Sequence, residues 1–353
     1  MKRFSGSLKG ALRILLILLL AMGVGGVVIV LIGENPFEAY GALLRGAFNG
    51  KRNFGTTLAN FTPLLLTSFA FAIASKAGAF NVGVEGEVFL GGIVAAWIGI
   101  NIHAPAPVLL PLCFVGAALV GALWAYIPAA LKAYWNVNEV CVTILMNYVA
   151  QFITSYLVSG PMSAGKANAQ SDYVQATLTQ FMKPSSVNTG LFVAIVIAIV
   201  MIWMLSRSSF GYKVRMVGTN PAFSEYTGIS PKRTLIQAMM LSGAIGGVAG
   251  CIEVLGVHGY FLNNFATGLG SNGMLAALIV KCDLRTIPII ALFLGILKSG
   301  AMGMQQSTGV PKSIVDTITA LFIIFATMET LFSFNRVGRK AKRRSNDSME
   351  VKK

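Results

Sequence analysis

Charge is what this sequence has least of. Only 12% of its 353 residues are Asp, Glu, Lys or Arg, about half the share of a soluble domain. Acidic residues number 13, too few for a water-facing surface of this length. Histidine is almost missing. His103 and His258 stand far apart in different predicted loops, so a histidine-based zinc site has no ligands. The four cysteines, Cys113, Cys141, Cys251 and Cys282, form no CxxC pair, and each lies in or beside an apolar segment. They read as small soft hydrophobes, not as metal or redox groups.

What remains is apolar. Hydrophobic residues make up 55% of the chain and the mean hydropathy is +0.71, which indicates an integral membrane protein. The basic N-terminal stretch MKRFSGSLKGALR precedes an apolar run at 11–32. That run exceeds a signal-peptide core of about 7–15 residues and has no clear small-residue cleavage site, so it reads as an uncleaved first span. Further spans are expected at 58–74, 108–131, 140–158, 188–205, 235–257, 287–304 and 314–334. Segments 82–100 and 267–281 are apolar but short or interrupted by glycine and polar residues. Counting both gives ten crossings, and leaving both out gives eight.

The net charge of +15 is distributed unevenly. With ten crossings, 21 of the 28 Lys and Arg residues fall on the side that holds both termini. This places the termini in the cytoplasm of a cell whose plasma membrane the chain crosses. Basic tails beside a membrane also favour anionic lipid. No aromatic residues interleave the basic ones, so nucleic acid is a poor partner. The expected organisation is an all-α transmembrane domain at 1–335, with an external loop at 159–187 and a cytoplasmic loop at 206–234. A basic tail follows at 336–353. The external loop is expected to fold a short helix near 172–182.

Built-in catalysis finds no support. GPMSAGKA at 160–167 approaches the phosphate-loop pattern. Its last position is Ala167 where a magnesium-binding hydroxyl is needed, no strand precedes it, and it lies on the external side. No His–acid or Ser–base constellation stands elsewhere. The chain is read as a non-enzyme that binds no cofactor of its own.

The cytoplasmic loop carries the densest local signal, GYKVRMVGTNPAFSEYTGISPKR at 211–233. Asn220 suits a helix N-cap and Pro221 the first helical position. Glu225 favours the positive end of such a helix, and Gly228 suits a left-handed stop. A helix of about two turns is predicted there. The string G-Y-x-x-R-x-V-G-x-N-P followed by G-I resembles the coupling loop of ABC-importer permeases of the branched-chain amino acid, simple-sugar and nucleoside superfamily. Two more segments agree. FNVGVEGE at 80–87 is similar to that family's F-N-[IV]-G-x-E-G-Q signature, with Glu87 in the glutamine position. NVNEVCVTILMNYVA at 136–150 resembles the N-E-V…T-I-x-x-N-Y segment of the nucleoside-importer branch.

The resemblance implies an importer subunit that moves nucleosides by alternating access. Simple-sugar or branched-chain amino acid transport is the alternative within the class, and an ion-driven secondary transporter the alternative outside it. Implied partners are a cytoplasmic ATPase that carries the ATP, a second homologous permease or a second copy, and an external binding lipoprotein. Gly218, Asn220, Pro221 and Gly228 would shape the coupling helix, and Arg215 and Glu225 would contact the ATPase.

A weak internal echo accompanies these motifs. Residues 83–86 and 270–273 both read G-x-polar-G before apolar runs, with Asn272 where the family carries aspartate. Paired glycine-interrupted segments point to short broken helices beside a transport path. Asn81, Glu85 and Asn272 are candidates for that path. So are Asn138, Glu139 and Asn147, which spacing sets near one helix face. Asparagine can match a base edge or ribose hydroxyls, and it equally serves hydrogen bonds between helices. Glu253 and Lys298, each within an apolar span, are expected to pair.

Overall fold

A computed structural model describes residues 22–309, 311 and 313–320. The expected spans 11–32 and 314–334 fall partly outside these residues, and the basic tail 336–353 wholly so. The chain divides into two units, one of residues 44–300 and one of residues 1–43 with 301–353.

The larger unit is a helix bundle. Its first full helix is α3 (Gly50–Lys76), followed by α4 (Val84–Asn101), α5 (Ala106–Trp135), α6 (Glu139–Ser159) and α7 (Gly190–Arg207). Two short helices, α8 (Ser209–Thr219) and α9 (Pro221–Tyr226), precede α10 (Pro231–Ile252). A π-helical stretch (Glu253–His258), α11 (Leu269–Ile279) and α12 (Ile287–Thr308) complete the order, α12 running on into the second unit. Helices α3, α4 and α10 are mostly buried, whereas α5, α6 and α7 expose most of their apolar surface. Lipid tails solvate such surface as well as protein does, so packing here rests on close contact rather than on exclusion of water.

Small residues make that contact possible. On α10, Gly243, Gly247 and Gly250 recur every three or four positions. A Cβ on Gly247 would overlap the Ala117 carbonyl of α5, and one on Gly250 the Val88 carbonyl of α4. Gly91 of α4 meets Gly247, and Gly121 of α5 meets Gly243. One glycine-lined helix thus holds two neighbours at backbone distance.

In the smaller unit, α1 (Met22–Leu31) and the start of α2 (Pro36–Phe48) meet at a bend of 118°. Gly25 faces the Ile318 side chain, which leaves no room for a Cβ.

Among the described residues seven helices are long and apolar enough to cross a membrane, or eight if the bent pair is one span. The chain is therefore an all-α, multi-pass membrane protein. Of the two segments expected to be short, α4 is continuous over 18 residues, while α11 has 11, about 16 Å. The loop 160–189 does not form the expected helix at 172–182. Its backbone is spent on another segment. Ser171 and Val174 N–H donate to Phe261 and Gly259 carbonyls at 2.9 Å, and Leu178 N–H donates to Leu255 carbonyl at 2.9 Å. The π-stretch ends at Gly259 (φ 76°), and the irregular chain beyond it is satisfied by this loop, as non-helical backbone at membrane depth must be.

Glu253 is buried where α10 passes into the π-stretch, and Lys298, its expected partner, lies on α12. Reversing either charge is expected to reduce the amount of folded protein in the membrane several-fold. Reversing both should restore it, as measured by fluorescence-detected size exclusion. A double variant no better than the singles would rule the pairing out. Gly247→Leu should force α10 from α4 and α5, and its melting temperature in detergent should fall by several degrees.

Candidate functional site

The two G-x-polar-G stretches pack against each other. Gly270, in the first turn of α11, lies against the Glu85 backbone in the first turn of α4, where a Cβ would stand 2.5 Å from Glu85 N. The Glu85 carboxyl reaches across the junction. Its Oε1 accepts from Gly268 N–H at 3.0 Å and its Oε2 from Ser271 Oγ at 3.3 Å. The first N–H groups of a helix have no partner within it, and negative charge is favoured beside them. Glu85 meets both needs for α11.

Asn147 does the same for α4 from a third helix. Its Oδ1 accepts from Gly86 N–H at 2.8 Å, and its Nδ2 donates to the Val82 carbonyl at 2.9 Å. Gly86 can carry no side chain there without crowding Asn147 and Ala150. Asn147 lies within the length of α6 and Thr67, which Gly273 meets, within that of α3. The junction therefore sits inside the bundle, away from the ends of α3 and α6.

Asn81 is fully buried. It accepts from Gly83 N–H at 2.9 Å and donates to Glu87 Oε1 at 2.8 Å and Ser242 Oγ at 2.9 Å. It clips the entry of α4 to α10. Glu87 is also buried, and its Oε2 has no hydrogen-bond partner among the described residues. Asn272, half-buried, belongs to the first turn of α11, and its N–H donates to Gly268 carbonyl at 2.9 Å.

The structure thus brings Glu85, Asn147 and Asn272 to the α4–α11 junction, and sets Asn81 beside it where the entry of α4 meets α10. It does not bring Asn138 and Glu139. Asn138 caps α6 through Val140 N–H at 2.9 Å, and Glu139 pairs with Lys132 of α5 at 3.0 Å. Both fix the α5–α6 turn, where Asn136 adopts φ 53°. Sequence reasoning missed Ser242, Gly268 and Ser271, whose roles arise from contacts between distant segments. It also passed over Gln151, although this residue lies one turn beyond Asn147.

The segment between α7 and α10 forms a second feature. Ser208 caps α8 through Gly211 N–H at 3.1 Å, and Asn220 caps α9 through Phe223 N–H at 3.0 Å. Pro221 takes the first helical position. Gly228 follows with φ 79°, its N–H bonded to Glu225 carbonyl at 3.0 Å. The short helix expected from the capping residues is present, at six residues. Helix α8 before it was not foreseen. A Cβ on Gly218 would overlap the Lys76 carbonyl at the end of α3, so α8 is seated directly on a core helix. Arg215, Phe223, Glu225 and Tyr226 are all exposed, and Tyr226 is 91% so. A surface pocket of about 460 Å³ beside α9 is lined by Arg207, Lys213 and Arg215 among others.

Residues 53–328 match the model of a family described as branched-chain amino acid transport system, permease component. The guanosine ABC transporter permease protein NupP of Bacillus subtilis is 34% identical over 326 residues, 91% of this chain and 94% of that protein. The glucose ABC transporter permease protein TsgB13 of Haloferax volcanii is 32% identical over 94% of this chain and 91% of its own length. The nucleoside ABC transporter permease protein NupB of Lactococcus lactis is 30% identical over 86% and 87%. No solved structure shows a significant match.

Glu87→Leu removes the acceptor for one of the two Asn81 Nδ2 hydrogens and leaves a buried donor open. The variant is expected to lower the melting temperature in detergent by several degrees. An unchanged value would show that the Asn81–Glu87 bond adds nothing to stability.

Proposed function

The chain belongs to the branched-chain amino acid transport system permease component family, and from that premise we propose that it is the membrane subunit of an ATP-driven importer of nucleosides. The observation that carries the substrate class is the segment 136–150, whose nucleoside-branch pattern supplies Asn147. The similarity to NupP and NupB supports it. The same residue holds the start of α4 against α6, so the segment most specific to that branch is built into the junction of the two glycine-rich signatures.

Nothing favours an ion-driven transporter. A second reading within the family, transport of a hexose, is supported by the similarity to TsgB13.

The proposed mechanism is alternating access. Two cytoplasmic ATPase domains bind ATP, and this chain binds none. An external binding lipoprotein delivers substrate to the outer face of this subunit and a second homologous permease. The chain lies in a bacterial plasma membrane with both termini in the cytoplasm. Helix α9 is the coupling helix. Its exposed Phe223 and Tyr226 give it an apolar contact face, and Arg215 and Glu225 offer charges of both signs to the ATPase. Its displacement passes to the bundle through Gly218, because α8 rests on the end of α3 without intervening side chains. Helix α3 in turn holds Gly273 of α11 at Thr67. Close contacts at two glycines, Gly218 on the Lys76 backbone and Gly273 on Thr67, therefore link α8 through α3 to the α4–α11 junction.

Uptake of labelled guanosine and uridine by cells with and without the cognate ATPase, with glucose, ribose and leucine as competitors, tests this reading. Nucleoside uptake should depend on the ATPase and resist the sugars and leucine. Competition by glucose would favour the hexose reading. Replacing Asn220 with Leu, or Gly218 with Val, should reduce uptake at least tenfold while leaving membrane insertion unchanged. Normal uptake in both variants would refute the coupling role.

A further inference from the structure

Gln151 projects from the middle of α6, and its Nε2 donates to Asn264 Oδ1 at 2.7 Å. Asn264 adopts the left-handed conformation, φ 59°, which Asn tolerates and β-branched residues do not. The bond consumes one donor and one acceptor. Gln151 Oε1 and Asn264 Nδ2 make no hydrogen bond among the described residues. Two joined amides thus present an acceptor beside a donor, and nucleobase edges carry complementary pairs of the same kind.

The place of this pair is as telling as its chemistry. Asn264 is exposed, and Gln151 partly so, at the level of an apolar span. Polar side chains and irregular backbone at such depth face protein or a water-filled path, not lipid. Tyr148, three positions before Gln151 on α6 and 56% exposed, sets an aromatic face on the adjoining strip. One helical turn toward the start of α6, about 5 Å away, Asn147 holds Gly86 beside Glu85. There the Glu85 carboxyl faces the exposed Ser271 hydroxyl. Along α6, amides with an aromatic neighbour are followed by a carboxyl and a hydroxyl. A nucleoside has the same order, a base and then a ribose.

We infer that Gln151 and Asn264 read the base edge of a nucleoside in transit, and that Glu85 and Ser271 receive its ribose hydroxyls. This rests on the nucleoside reading above. Gln151→Ala or Asn264→Ala would remove half of the amide pair. Asn264→Gly removes the amide while keeping the left-handed backbone accessible, so loss of folding does not obscure the result.

The test uses the complete importer in proteoliposomes, with its ATPase and saturating binding protein. Uptake is measured for guanosine, for purine riboside, which lacks the exocyclic groups of the base, and for 2′,3′-dideoxyguanosine. In the Gln151 and Asn264 variants the ratio of guanosine to purine riboside uptake should fall about tenfold, the scale of one lost hydrogen bond. In Glu85→Gln the ratio of guanosine to dideoxyguanosine should fall instead. Ratios equal to wild type, or equal losses for all three compounds, would overturn the assignment while leaving nucleoside transport standing. A wild-type importer that carries none of the three would overturn the nucleoside reading and this inference with it.

Discussion

The constraint on which this structure depends is the cost of an unsatisfied backbone N–H inside a membrane. Two helices, α4 and α11, begin within the bundle, where their first N–H groups have no partner inside their own helices. Each is met by a side chain from another segment. Asn147 of α6 meets α4, and Glu85 of α4 meets the start of α11. Asn81 then ties the chain entering α4 to α10 through Ser242. Remove these partners and the interior helix starts lose their footing, since each open donor in hydrocarbon costs several kcal/mol. The polar residues that stand out against an apolar sequence are thus first of all structural.

That role does not separate them from transport. A junction made of a few directed hydrogen bonds between four helices holds its geometry firmly, yet has few contacts to exchange when the helices shift. The glycine seams of α10 are different. There, backbones meet over many small dispersion contacts with no side chain between them, which suits elements that move as a body. Helix α8 is seated on α3 in the same way, through Gly218. A displacement of α9 would therefore be passed on by rigid contact and not absorbed by flexible side chains.

Local features were legible in the sequence. The capping set Asn220, Pro221 and Gly228 announced α9, because a short helix in a polar loop is specified by its own ends. The long apolar runs announced α3, α5, α6, α7, α10 and α12. The weak echo of 83–86 in 270–273 pointed to segments that do meet. Other features were not legible. The loop 160–189 has helix-compatible residues at 172–182, but its N–H groups are claimed by carbonyls of 255–261. Asn138 and Glu139 looked equivalent to Asn147 by spacing along α6, yet a single turn at Asn136 gives them Val140 and Lys132 as partners.

The sequence by itself determined that the chain crosses a membrane, that it carries a short capped helix between α7 and α10, and that glycine and carboxyl groups cluster at the start of α4. Each of these follows from composition or from residues within a few positions of one another. Only the tertiary structure decided which distant groups satisfy which helix ends. Glu85 and Gly268, Asn147 and Gly86, Gln151 and Asn264 are joined by hydrogen bonds between segments far apart in the chain. No local periodicity encodes such pairs. They follow from how glycine seams set the helices at their distances, and from the demand that every buried donor there find an acceptor.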